Sequence, residues 1–159
     1  MPLSTKDYSS IQEHKVADAL GWEVVTGSGA RDCHPGDIRS NDWLGECKTH
    51  TKPGHQIIFK LSVWQKISKQ AQSKFKYPVL IVDDGSQKLE HTWVLFPYRR
   101  ICQPDISIKP CQLKIRTNIS FYEIELKSEL LDADILEVKF DSDVLGITSF
   151  LKFKEMFGE

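Results

Sequence analysis

Gly36-Asp37-Ile38-Arg39, the turn Ser40-Asn41-Asp42, and then Trp43-Leu44-Gly45-Glu46-Cys47-Lys48-Thr49 decide how this chain is read. Ser, Asn and Asp bend the backbone through local side-chain hydrogen bonds. The flanking segments, from Asp37 and from Trp43 to Thr49, therefore read as two strands of a hairpin. Upstream, Trp22-Glu23-Val24-Val25 is a short strand, and Gly27-Ser28-Gly29-Ala30 a loop that permits close backbone approach. Before it lies a helix from about Ser10 to Leu20. Ser10 and Glu13 are spaced as a capping box, Gly21 is a suitable terminator, and Val16, Ala17, Ala19 and Leu20 form one apolar arc. Glu13 projects into that arc beside Ala17 and Leu20.

Downstream, a loop around Pro53-Gly54 leads to a helix from Leu61 to about Ser73, with Leu61, Trp64, Ile67 and Ala71 at helical spacing. Pro78-Val79-Leu80-Ile81-Val82 is an unbroken apolar run and reads as a buried central strand. Thr92 to Phe96 is another strand, and segments near 113–119, 121–126 and 135–140 read as more. A final helix is expected over about Ile147 to Phe157. The sum is an α/β (α+β) domain: a mixed central sheet flanked by helices, in a single unit spanning 1–159.

On a strand alternate side chains share a face, so Glu46 and Lys48 point the same way, about 6.6 Å apart along the chain. Asp37, on the partner strand, is expected across from Glu46. Two carboxylates and an ammonium then share one patch. Each carboxylate raises the cost of ionising the other. A hard divalent cation removes that conflict, and Mg²⁺ favours one or two carboxylates plus water and phosphate oxygens. The pattern points to Mg²⁺, with Mn²⁺ able to substitute, bound by Asp37, Glu46 and the Cys47 backbone carbonyl. Phosphodiester hydrolysis is the matching chemistry, with Lys48 orienting water or neutralising developing charge. The plainer reading is a surface hairpin with a cross-strand ion pair.

The charge distribution adds to this. Net charge is −1, yet residues 47–82 hold seven lysines and no acid, whereas residues 120–159 hold ten acids and four bases. A local basic surface attracts phosphate whatever the total, although a lysine-rich helix face in solvent has the same composition. With 40% hydrophobic residues among 159, the chain is long enough to bury roughly 70% of its unfolded surface. No apolar run approaches the roughly 20 residues of a membrane span, and the start, Met1 to Lys6, is unlike a secretory signal. An intracellular, cytoplasmic protein without a membrane association is expected. Cys33, Cys47, Cys102 and Cys111 lack a C-x-x-C pair and read as free thiols. A zinc site from Cys33, His34, Cys47 and His50 is disfavoured, because adjacent ligands suit it poorly.

Gly36-Asp37, Glu46-x-Lys48 and the helical Glu13 together resemble the PD-(D/E)XK nuclease superfamily. Trp64-x-x-Ile67-x-x-Gln70-Ala71, leading to the strand 78–82, is similar to the helix and strand after the motif in Holliday junction resolvases of archaea and phages. The likeness covers about residues 8–100, and leaves the C-terminal strands and helix of 113–159 to complete the fold or a dimer surface. It implies a restriction-endonuclease-like core and a homodimer that cuts branched DNA, in the phage case within an infected host cell. It implies Asp37 and Glu46 as metal ligands, Lys48 as catalytic lysine and Glu13 as an accessory acid. One departure is the glycine, in place of proline, directly before the aspartate.

Further residues are candidates for DNA binding: Ser28 and Arg31 through hydroxyl and guanidinium, Lys52, His55 and Lys60 after the catalytic strand, and Gln70 from the following helix. Arg99 and Arg100 form a second basic spot, and Trp64 is expected in the core. No small-molecule cofactor is expected. Three alternatives stay open: another superfamily nuclease of restriction, repair or nicking type, a non-catalytic nucleic-acid-binding module, and a protein-interaction domain using the acidic 123–143 stretch.

Overall fold

Ser4 starts the first helix. Its hydroxyl accepts from the Asp7 N–H at 3.2 Å, while its own N–H donates to Asp7 Oδ2 at 2.8 Å, a reciprocal cap. Helix α1 therefore runs Thr5–Leu20, one and a half turns longer than the Ser10 start expected from the sequence. Residues 5–9 carry no apolar periodicity to reveal it. Gly21 ends the helix in the left-handed region, φ 74°, as expected of a C-terminal glycine.

The computed structural model describes residues 2–26, 35–54, 56–101, 106–110, 118–121, 133–140 and 143–159. After α1 come β1 (Glu23–Val24), β2 (Ile38–Arg39), β3 (Trp43–Lys48), β4 (Ile57–Lys60), α2 (Leu61–Ser73), β5 (Tyr77–Asp83), β6 (Thr92–Phe96), β7 (Ile108–Pro110), β8 (Asn118–Phe121), β9 (Ile135–Phe140), β10 (Asp143–Ser149) and α3 (Phe150–Phe157). Eight strands form one mixed sheet in the order β1-β2-β3-β5-β6-β10-β9-β7, and β4 with β8 forms a small second sheet. β3 and β5 are parallel, joined through β4 and α2, since parallel strands need a crossover.

Side-chain alternation divides the core. Leu44, Leu80, Val82, Trp93 and Leu95 face α2 and the β4–β8 pair. Trp43, Cys47, Val79, Ile81, Val94 and Phe96 face α1 and α3. Both faces of β5 are covered, which is why its sequence is apolar without alternation.

Two expectations need correction. The last helix begins at Phe150, capped by the Ser149 hydroxyl, not at Ile147. Residues 143–149 are instead a strand inserted between β6 and β9, because Leu145 and Ile147 each bury against the α2 side of the sheet. Residues 57–60, between the expected loop and helix and assigned to no element from the sequence, pair with β8. The expected strands at 113–119 and 121–126 are described only over β8, and their remainder lies outside the described residues. Among the described residues no helix is long and apolar enough to cross a membrane.

Candidate active site

The β2–β3 register pairs Ile38 with Gly45 and Arg39 with Leu44. One step further, Asp37 stands opposite Glu46, and the Asp37 N–H donates to the Gly45 carbonyl at 2.8 Å. The Asp37 side chain is buried, and its Oδ2 accepts from the Cys47 N–H at 2.9 Å. In an extended strand the carbonyl of a residue points to the same edge as its N–H, so the Cys47 carbonyl faces the Asp37 side. Lys48 Nζ lies 3.2 Å from Glu46 Oε1, with the lysine half exposed and the glutamate mostly buried. Both side chains share the parity of Leu44 on β3. Glu13 reaches this group from α1, close enough for its charge to interact with Asp37, Glu46 and Lys48.

The glycine before Asp37 has a local cause. Gly36 has φ 78°, and a Cβ there would stand 2.7 Å from Leu44 Cδ1. Proline, held near −65°, cannot take this conformation.

Electrostatics set the group apart. Burial first, then the charges of Asp37 and Glu46, push the Glu13 carboxyl from 4.5 to about 7. Burial and Asp37 also raise Glu46, against the opposing pull of Lys48. Three carboxylates share the region with the Lys48 ammonium, and each carboxylate opposes ionisation of its neighbours. A divalent cation would relieve that conflict.

This has a measurable consequence. A carboxyl with a raised folded-state pKa binds its proton more tightly folded than unfolded, so stability declines as pH rises from about 4.5 to about 7. For half-buried Glu13 the loss is expected on the order of 1–2 kcal/mol after allowance for its contact with water. Denaturant titrations without divalent ion should show this decline in the wild type and a shallower one in Glu13→Gln. Mg²⁺ should restore stability at pH 8 and have little effect at pH 5. Equal pH slopes in both proteins would remove Glu13 from the site. Asp7, held low by hydrogen bonds from Ser4, and Asp84, where burial is outweighed by hydrogen bonds from Ser86 and by His91, act in a separate window, losing their contribution below about 3.8.

Among the described residues no three His, Cys, Asp or Glu side chains stand together as a complete ion cage. The donor set is two carboxylates with a carbonyl beside them, all hard oxygens. It fits Mg²⁺, which keeps several waters and takes few protein ligands. Cys47 contributes only backbone here, because its thiol is buried on the α1 face and pushed well above its ordinary pKa by burial.

Two buried polar side chains that the sequence reading passed over hold the end of β3. Gln12 donates through Nε2 to the Lys48 carbonyl at 2.7 Å. Asp83, at the end of β5 and fully enclosed, accepts from the Thr49 hydroxyl at 2.6 Å and from the Gly85 N–H at 2.9 Å. Gln12 lies four residues before Val16 on the buried arc of α1, so the helical periodicity contains it. Asp83 reads in sequence only as the start of a turn. Lys66 on α2 also matters, since its charge acts on Glu46.

The other candidates are dispersed. Lys52 is exposed in the loop after β3, and its carbonyl crowds Gly85. Lys60 is exposed at the junction of β4 and α2. Gln70 is half-buried on α2, one turn past Lys66, with its Oε1 enclosed and unpartnered among the described residues. Ser28, Arg31 and His55 lie outside the described residues. Arg99 and Arg100 follow β6, whose pairing with β5 puts them at the opposite end of the sheet from Lys48. Trp64 is buried, as expected. Compared with family models, with curated proteins and with solved structures, the chain finds no match in any of the three.

Proposed function

We propose that this protein is a Mg²⁺-dependent DNA endonuclease of PD-(D/E)XK type, acting in the cytoplasm as a homodimer on branched DNA such as four-way junctions. The observation that carries the reading is the meeting of Asp37, Glu46 and Lys48 at the end of β3, with Glu13 arriving from α1. A helix, a hairpin, a crossover helix and a parallel strand bring them there.

Asp37 and Glu46 would hold the ion, together with the Cys47 carbonyl. When bound, Mg²⁺ lowers the pKa of a coordinated water and balances charge on the phosphate. The remaining chemistry belongs to the chain. Lys48 is half exposed and charged, and offers an N–H donor to a phosphate oxygen as negative charge grows on it. The ion pair with Glu46 fixes where that ammonium sits. Glu13, with a pKa of about 7, can take a proton near neutral pH. The Asp37–Cys47 hydrogen bond holds the carboxylate against β3.

The test is cleavage of labelled four-way junction, duplex and single-stranded DNA, with Mg²⁺, Mn²⁺ or chelator, by wild type and Asp37→Asn. Paired symmetric nicks on the junction, absent with chelator and in Asp37→Asn, are expected. Cutting of plain duplex instead would assign a restriction or nicking type. Binding with no cutting in either metal would sink the enzyme and leave a binding module.

A further inference from the structure

Phe75 stands in solvent at the end of α2. It is 96% exposed, far more than any other large apolar side chain among the described residues. Its backbone is also strained: φ is 57°, in the left-handed region. The Phe75 N–H donates to the Gln72 carbonyl at 3.1 Å, and the Lys76 N–H to the Ala71 carbonyl at 2.9 Å. That pattern closes a helix with a residue that is ordinarily glycine. An aromatic residue there carries both a conformational cost and an unburied ring. Neither the helix end nor the core gains from it. Strain of this kind, observed first, motivates a functional reading.

The ring borders a groove of about 790 Å³ between the end of α2 and the neighbouring ends of β5, β6 and β10. Its floor includes Pro97 and the buried Trp64. Lys76, Arg99 and Arg100 line it together with Asp143; Lys76 donates to the Ser40 and Asn41 carbonyls, Arg99 pairs with Glu137 at 3.5 Å, and Asp143 accepts from Trp64 Nε1 at 3.3 Å, so Arg100 is the lining base that can turn to a ligand. The outer face of α2 continues the same charge. Lys66 and Lys69 are exposed, and the helix carries no acid along its 13 residues, about 20 Å. Lys66 is the α2 lysine whose charge, after that of Lys48, acts on Glu46. A cationic strip therefore joins the groove to the catalytic end.

We infer that Phe75 and this groove form a stacking platform for unpaired nucleotides, with the α2 lysines and Arg100 meeting the phosphates. A π-face beside a cationic track suits a single strand of any sequence, since every base can stack. An acid-free strip favours a polyanion over a neutral or basic peptide. The inference rests on the nucleic-acid reading above and assigns it a substrate feature: an unpaired segment reaching beyond the cutting site.

The experiment is fluorescence anisotropy with a labelled oligo-dT and a blunt duplex, without divalent ion, on wild type, Phe75→Gly, Phe75→Trp and Arg100→Gln. Glycine suits the left-handed position, so Phe75→Gly should melt no lower than wild type. It should nevertheless bind oligo-dT roughly 10-fold more weakly, with duplex affinity little changed. Phe75→Trp should retain binding, and Arg100→Gln should flatten the salt dependence. Oligo-dT affinity unchanged in Phe75→Gly would overturn the platform even if the protein cuts DNA. Phe75-dependent binding without Mg²⁺-dependent cutting would keep the platform and discard the nuclease. Phe75-dependent self-association in sedimentation, without an effect on oligo-dT, would make the surface a protein interface and overturn the proposal.

Discussion

Lys48→Ala is expected to slow Mg²⁺-dependent strand cutting by roughly 10²–10³-fold, the cost typical of losing a preorganised donor at developing charge. Its fold should survive. The side chain is half exposed and its ion pair with Glu46, at 3.2 Å, is of a kind worth about 0–1 kcal/mol. The melting temperature should shift by no more than about 3 °C. DNA affinity should fall only slightly, since the α2 lysines remain. Single-turnover cutting, thermal melts and anisotropy on one preparation separate these effects. Lys48→Arg keeps the charge but presents a planar fork in place of a compact ammonium, so partial activity is expected. Wild-type cutting by Lys48→Ala would end the catalytic role proposed for this residue. Loss of cutting accompanied by unfolding would reassign Lys48 to structure.

The three central residues are legible in the sequence because strand alternation and hairpin register follow directly from local pattern. Glu46 and Lys48 share a face by period, and the turn at Ser40-Asn41-Asp42 sets Asp37 across from Glu46. β5 and α2 are legible for the same reason: a doubly covered strand is uniformly apolar, and a one-sided helix repeats every three to four residues. The failures have a common physical origin. Ile147-Thr148-Ser149 runs straight into the apolar Phe150-Leu151, and so short a segment does not by itself distinguish strand from helix; its pairing with β6 decides the matter. β4 exists through contact with a distant partner, β8. Helical period marks Gln12 as buried, but its contact with β3, like that of Asp83 from β5, spans a separation that no local pattern encodes. The Ser4–Asp7 cap was readable as a motif, but without apolar residues behind it the first turn of α1 resembles a polar leader.

Trp43→Ala should cost about 3–5 kcal/mol of stability, the range of a large aromatic truncated in a core. Trp43 opens β3 and is buried on the face opposite Glu46 and Lys48. Its ring lies 5.2 Å from Phe153, 5.4 Å from Phe157, 5.6 Å from Tyr77 and 5.9 Å from Trp22. It thus joins α3, β5 and the segment after α1, and aromatic pairs contribute beyond their buried area. Alanine would leave a cavity bounded by these rings, and the melting temperature should fall by roughly 10 °C. Yet Trp43 is five residues from Lys48, about 16 Å along the strand. At a temperature where the variant is folded, each molecule should therefore cut DNA within about threefold of the wild-type rate, the reverse of the Lys48→Ala pattern. Trp43→Phe, which keeps a ring in the cluster, should lose less stability. Denaturant melts at 15 °C and single-turnover cutting at the same temperature make the comparison. An unchanged melting temperature would mean that the aromatic cluster does not hold the α3 layer to the sheet. A fully folded but inactive Trp43→Ala would mean that the far end of β3 sets the geometry at Glu46 and Lys48, and that Gln12 and Asp83 do not suffice to hold it.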